Sequence, residues 1–527
     1  MRAFLAIAAV AAFTMPSFAA EVDYGNAVDL ERREEFATRD ADWRNGALVY
    51  QVIVDRFAPS ANLDAKRDLY PAPKTLRKWE EVPKRGTYVE SANVWSHEID
   101  FWGGDLQSLR ARIDYVQELG ISVLYLNPIH EAYTNHKYDA QNYFGVSKEY
   151  GTREDVTALA KDLEGRGMRL VLDGVVNHMG RTSPDFKDAA ADPNSKWRDW
   201  FYIGDQYKKG YRAWVDVDNL PELNLENKAV RDRLWNDKDS VIQGYLREGV
   251  SGWRLDVAYD IGFTYLDELT RAAHSARADS LVIGEIWNYP EEWSPALDGV
   301  MNMTGREIIL QMVRGNIPAA RASRTIETLV DDYGIGPTLK SWIILDNHDT
   351  PRLRTVLPEP WQQRMAQVLQ FTIPGSPCIY YGVELGMEGG DDPEQRGPMR
   401  WDLVNDSNEQ LKWMRSLIKL HRDSRGLRIG DFRRLDTDQM MAFLRRTDRI
   451  ADTVLVAVNP SPTEVKELLV LRDSKIMSYS KLRDAFTGEE YLTMAGTLTL
   501  TLPARGYVVL QPMIPDTVDY SSFKRVQ

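Results

Sequence analysis

Four short segments end apolar runs in carboxylates: Asp173-Gly174-Val175-Val176-Asn177-His178, Gly252-Trp253-Arg254-Leu255-Asp256, Gly284-Glu285-Ile286-Trp287 and Asp346-Asn347-His348-Asp349. An unpaired acid at the end of an apolar strand is costly to fold around, so its presence asks for a use. Each segment alone has a structural explanation. Arg254 and Asp256 lie two apart on one strand, point to the same face and could be a buried ion pair. Glu285 could hold a loop, and His348-Asp349 could be an ordinary turn. His178, His348, Asp173 and Asp349 could together ligate a metal, but the His-x-x-x-His or closely paired spacing that supports catalytic zinc is missing.

All four segments together suit a different chemistry. Two opposed carboxyls hydrolyse a glycosidic bond: one attacks the anomeric carbon, and the other protonates the leaving oxygen and later deprotonates water. Arg254 beside Asp256 favours an ionised nucleophile. Ile286 and Trp287 give Glu285 the apolar surroundings that let an acid keep its proton. Asp349 is then free to grip sugar hydroxyls while the ring distorts.

Such groups need a rigid frame. Ala47 to Val54 reads as a buried strand, followed by a long mixed, charged loop over 58–100. Asp105 opens a helix with apolar residues at Leu106, Leu109, Ile113, Val116 and Leu119, stopped by Gly120. Further short apolar strands fall at 121–126, 169–173, 250–257, 281–286, 297–301, 341–345 and 377–381, most separated by helical stretches. Repeated strand–helix units with apolar strands predict an α/β fold, a closed (β/α)8 TIM barrel, in which chemistry sits at the C-terminal strand ends. The interval 179–228 is too long and too polar for one crossover and predicts a small excursion after strand 3. Beyond 428 the pattern changes to short strands at 440–444, 453–458, 466–471 and 497–502, a C-terminal all-β domain of sandwich type. The expected organisation is a signal peptide at 1–19, an extension at 20–45, the catalytic barrel at 46–178 and 229–427, the excursion at 179–228 and the β domain at 428–515.

Met1-Arg2-Ala3, the apolar run Phe4 to Phe13 and small residues at Ser17 and Ala19 have the layout of a secretory signal. They predict export to a periplasm or the medium. The 527 residues carry 65 Lys and Arg against 78 Asp and Glu, a balance of −13 that argues against nucleic acid or an anionic membrane as partner. The 15 Trp and 24 Tyr suit either a large core or flat faces for sugar rings. Cys378 is the one cysteine, which excludes an intramolecular disulfide and any multi-cysteine metal site.

The four acidic segments, in this order, resemble the four signature regions of the α-amylase family, retaining α-glucoside hydrolases and transglycosylases, and the likeness runs from about Trp43 to Pro512. It implies Asp256 as nucleophile, Glu285 as general acid/base and Asp349 as transition-state stabiliser, with His178, Arg254 and His348 holding the sugar at the cleavage subsite. Tyr138, in His136-Lys137-Tyr138-Asp139, matches the tyrosine that stacks under that sugar. Pro221-Glu222-Leu223-Asn224 resembles a fifth region of neopullulanases, cyclomaltodextrinases and maltogenic amylases, with Glu222 where those carry Lys. Asp392 and Arg396 match residues that contact the next sugar towards the non-reducing end; a loop-bracing ion pair explains them equally well. Val257-Ala258-Tyr259-Asp260 departs from the relatives' usual Asn then Glu.

The resemblance implies an α-glucan oligosaccharide or polysaccharide as substrate and no cofactor for the chemistry. It admits a structural calcium ion: Asn177 matches one calcium ligand, and Gly103 and Asp105 match a second site, whose loop Pro59 to Ala65 is poor in oxygen donors. The oligomeric state stays open, because only a short stretch stands where these relatives carry an N-terminal β domain. Three readings follow: hydrolysis of α-1,4 bonds in maltodextrins, cyclodextrins or starch fragments; transglycosylation on the same scaffold; or a non-catalytic sugar-binding protein, which intact Asp256, Glu285 and Asp349 disfavour.

Overall fold

The computed structural model describes residues 27–518, 520–524 and 526, so the expected signal segment at 1–19 lies outside the described residues. Eight strands close into a parallel barrel: β1 (Val49–Val52), β2 (Val123–Leu126), β3 (Arg169–Gly174), β4 (Gly252–Leu255), β5 (Leu281–Ile286), β6 (Gly299–Asn302), β7 (Trp342–Ile343) and β8 (Ser376–Tyr380). Nearly every residue of these strands is buried, as expected where both faces of a parallel sheet are covered. Val49, Tyr125, Val171, Ile283, Met301 and Trp342 fill the barrel interior. Tyr125 and Trp342 pack with ring centroids 5.0 Å apart, so the barrel has a solid floor beneath its C-terminal mouth.

The helix expected from Asp105 to Gly120 is two helices, Leu106–Arg110 and Ile113–Leu119. Leu106, Leu109, Ile113, Val116 and Leu119 are all buried, so the apolar spacing continues across a break that it cannot reveal. Arg112 sits at the break with its guanidinium 4.4 Å from the centre of the Trp401 ring. The polar stretch before the barrel contains a helix, Ala27–Ala41. Arg39 Nη1 and Arg32 Nη2 reach Asp431 at 2.7 and 3.0 Å, which ties that helix to the C-terminal region.

Two insertions rise from the C-terminal mouth. After β2, antiparallel strands His130–Ala132 and Ala140–Val146 carry Tyr138 on the turn between them. After β3, a polar excursion with the helix Pro184–Ala191 is pinned by isolated bridges, among them His178 to Glu222 and Ala213 to Pro221. The segment at 58–100 is more ordered than a loop. It holds a short helical stretch at Leu63–Leu69 and a small hairpin that pairs Tyr88–Val89 with Val94–Trp95.

The C-terminal region packs a six-stranded antiparallel sheet against a two-stranded one, Val465–Val470 with Thr497–Leu502. Four of its strands, Asp431–Leu435, Lys481–Asp484, Glu490–Leu492 and Tyr507–Pro512, were not among those expected. Buried Arg445 donates to Thr372 O at 2.9 Å and to Gly430 O, which joins this region to the barrel. Among the described residues, no helix is long and apolar enough to cross a membrane.

Candidate active site

The ladder between β3 and β4 places Arg254 beside Asp173, and both side chains are wholly buried. Arg254 Nη1 lies 2.9 Å from Asp173 Oδ1 and 3.1 Å from Asp256 Oδ1, while Nη2 lies 3.0 Å from Glu285 Oε2. One guanidinium therefore serves three carboxyls. Burial pushes the Asp256 carboxyl well above its ordinary range; Arg254 opposes this, and the charges of Glu285, Asp173 and Asp349 add to it. Arg254 thus favours the ionised form of Asp256, as expected, but its charge is divided among three acids, and burial still lets Asp256 keep a proton more readily than a solvated aspartate does. Asp173 is pushed up by burial too, although it accepts hydrogen bonds from Arg254, from Tyr125 at 2.6 Å and from Tyr138 at 2.9 Å.

Val257, directly after Asp256, is β-branched yet left-handed, with φ 40° and ψ 48°. Such a backbone stores strain of about 1–3 kcal/mol and persists where surrounding contacts over-determine it. Here its N–H donates to Glu285 Oε2 at 2.9 Å, and Trp287 Nε1 donates to Glu285 Oε1, also at 2.9 Å. Each oxygen of Glu285 thus has its own donor.

Tyr138 lies flat against His348, with centroids 5.4 Å apart and planes 7° from parallel. Gln51 Nε2 donates to His348 Nδ1 at 2.9 Å, which leaves Nε2 to donate to the Tyr138 hydroxyl at 2.5 Å, and that hydroxyl donates onward to Asp173. Burial drives His348 well below its usual range and takes His178 down to about 3, so both are neutral imidazoles near neutral pH. His178 stacks on Trp214 at 5.7 Å, its Nε2 is 3.9 Å from Asp256 Oδ2, and neither of its ring nitrogens has a partner within the chain. A buried, unsatisfied nitrogen beside the candidate nucleophile suits a substrate hydroxyl.

Asp349 stands at the mouth, one third exposed, with His348 Nε2 at 3.1 Å and Arg396 Nη2 at 3.5 Å. Burial still raises its carboxyl, while Arg396 pulls the other way. Arg396 Nη1 pairs with Asp392 Oδ1 at 3.1 Å, and its Nε donates to His348 O at 2.9 Å. Asp392 and Arg396 thus brace one another and also face the cleft.

These groups share one open cleft of about 590 Å³. All nine candidate residues gather here: seven line the cleft, Arg254 lies in its floor and His348 is stacked against Tyr138. Trp214, His136 and Glu98 were not singled out, and Asp173 was weighed only as a metal ligand, not as the partner of Arg254. Asp173 was visible at a strand end, and His136 stands in the Tyr138 segment; Trp214 and Glu98 lie in insertions whose course no local pattern betrays.

The calcium positions fit poorly. At Asp105 an ammonium takes the place a cation would fill: Lys66 Nζ makes a short contact with Asp105 Oδ2 and lies 3.4 Å from Glu149 O. At Asn177 the backbone carbonyl is used by Leu223 N, and the side-chain Nδ2 has no partner. Neither place gathers the six to eight oxygens that calcium takes. Among the described residues, no group of three or more His, Cys, Asp or Glu is placed to hold a metal ion.

A parallel barrel with this acidic floor and a β-sheet appendage defines a class, and comparison with known proteins agrees. Residues 51–426 match the α-amylase catalytic domain, and residues 432–509 match the maltogenic amylase C-terminal domain. The chain belongs to the α-amylase family and is a glycoside hydrolase of that family. It is 32% identical over 481 residues to a cyclomaltodextrinase of Geobacillus thermopakistaniensis, covering 89% of this chain and 77% of that one. It is 30% identical over 495 residues to neopullulanase 2 of Thermoactinomyces vulgaris, covering 91% and 80%. Among solved structures, the cyclic α-maltosyl-(1→6)-maltose hydrolase of Arthrobacter globiformis superposes with a TM-score of 0.75 at 28% identity, over 89% of this chain and all of that one.

Proposed function

We propose that the chain is a retaining hydrolase of α-1,4-glucosidic bonds in maltodextrins, cyclodextrins or starch fragments. The single observation that carries this is Arg254 bridging Asp173, Asp256 and Glu285 on the floor of an open cleft. Asp256 attacks the anomeric carbon, and Glu285 protonates the departing glucosidic oxygen. Water then enters, Glu285 takes its proton, and the Asp256 ester is released. Tyr138 and His348 form the flat base under the ring, and neutral His178 offers a nitrogen to a sugar hydroxyl. Asp349, held by Arg396, accepts hydrogen bonds from hydroxyls that move as the ring flattens. Asp392 and Arg396 hold the next sugar. No cofactor enters this chemistry.

The kinship to a cyclomaltodextrinase and a neopullulanase supports small α-glucans as substrates, and the Arthrobacter relative has been solved in complex with maltose. The basic, apolar and small-residue layout at 1–19 supports export. The test is a time course of products from maltoheptaose, γ-cyclodextrin, pullulan and starch, with Glu285→Gln as the blank. Ring opening and release of maltose or panose support the reading; no turnover of any of the four overturns it.

A further inference from the structure

The hairpin that pairs Tyr88–Val89 with Val94–Trp95 belongs to the insertion between β1 and β2, and it exposes two large rings. Trp95 is 43% and Tyr88 39% exposed, and their centroids lie 5.6 Å apart at 76°, so they form one bent apolar surface. Its base is joined to the cleft by two routes. Glu98 accepts the Trp95 N–H at 2.6 Å through one oxygen, and its other oxygen lies 3.4 Å from His136 Nε2. The His136 ring in turn stacks on Tyr138 at 5.8 Å and 27°. Along the second route, His97 lies obliquely beside the Trp95 ring at 6.2 Å, and its Nε2 is 3.9 Å from Asp392, the partner of Arg396. Glu98, His136 and Asp392 all line the cleft.

One route starts from Tyr138, placed under the sugar at the cleavage position, the other from Asp392, placed on the next sugar, and neither passes through a residue that contacts Glu285. The leaving group departs on the side of its proton donor, next to Glu285 and Trp287. The surface at Trp95 therefore continues the cleft on the other side, where the retained, non-reducing part of the chain extends. Flat apolar rings at the end of a polar groove suit the C–H faces of glucose.

We propose that the Tyr88–Trp95 hairpin is a sugar-stacking platform for the glucose unit beyond the one held by Asp392 and Arg396, and that it sets a preference for longer α-glucans. This rests on the α-glucan reading above. The test uses Glu285→Gln protein, which does not consume its ligand, and titrates maltose and maltoheptaose by calorimetry with and without a change at Trp95. Trp95→Ala is expected to weaken maltoheptaose roughly tenfold and to collapse the ratio of the two affinities. Trp95→Phe, which keeps a flat ring, is expected to restore most of that ratio, and Tyr479→Ala, at an exposed tyrosine of the C-terminal region, to leave it at the parent value. Equal weakening of both sugars by Trp95→Ala, or none, overturns the proposal. Failure of the Glu285→Gln parent to bind maltoheptaose at all overturns the α-glucan reading itself, and the platform with it.

Discussion

Arg254 and Asp173 face each other across adjacent strands, Nη1 to Oδ1 at 2.9 Å, with no exposed surface on either side chain. The pair lies below Asp256 and Glu285, and the same guanidinium reaches both of them. The charge state of the candidate nucleophile is therefore set jointly by a cation and by an acid that need not touch substrate.

Asp173→Asn removes one of the negative charges that raise Asp256. A carboxyl relieved of a like charge ionises at lower pH. Since the nucleophile works ionised, the acidic limb of kcat/KM against pH is expected to move to lower pH, while the maximum rate falls because Tyr138 and Arg254 lose their charged acceptor. A limb that stays in place or moves to higher pH contradicts the shared-charge account.

Arg254→Met acts with the opposite sign. It removes the cation that opposes burial at Asp256, so the acidic limb moves to higher pH. Three buried carboxyls also lose their partner, a loss of about 3–5 kcal/mol for a broken buried pair. A pH profile and a denaturant melt read the two effects separately, and a variant as stable as the parent contradicts the second.

Burial pushes the His178 imidazole down to about 3, far below the working range. His178→Asn is therefore expected to lower kcat/KM roughly tenfold or more, through the lost contact to substrate, without moving either limb of the pH profile. Loss of a limb would show that this imidazole exchanges a proton during turnover.

Lys66 neutralises Asp105 where the related fold admits calcium. Lys66→Met leaves a buried carboxylate unpaired and is expected to lower Tm by several degrees, whereas calcium or a chelator leaves the parent's Tm unchanged. A Tm of the parent that rises with calcium contradicts the assignment of Lys66 as the resident cation.

The barrel could be read from the chain because its strands are continuous apolar runs, and the acids stood out because they end those runs. What escaped depends on distant partners. The helix at Ala27–Ala41 looks merely polar until Asp431 is placed beside Arg39 and Arg32. The split at Arg112 is invisible because the buried positions on either side keep helical spacing. Asp431–Leu435 carries two arginines and little apolar character, so its strand state reflects pairing with Met441–Arg446. The sharing of Arg254 among three acids needed β3, β4 and β5 side by side. Trp214 on His178 and Trp95 beside His97 needed the paths of two insertions.

The central claim is that Asp256 forms the bond to sugar while Glu285 handles the protons. Glu285→Gln incubated with α-maltosyl fluoride tests it directly, because fluoride leaves without a protonated acid but water is no longer activated. Intact-protein mass spectrometry is predicted to show a single maltosyl adduct, and peptide mapping to place it on Asp256. An adduct on another carboxylate, or rapid turnover of the fluoride without any adduct, would contradict the assignment.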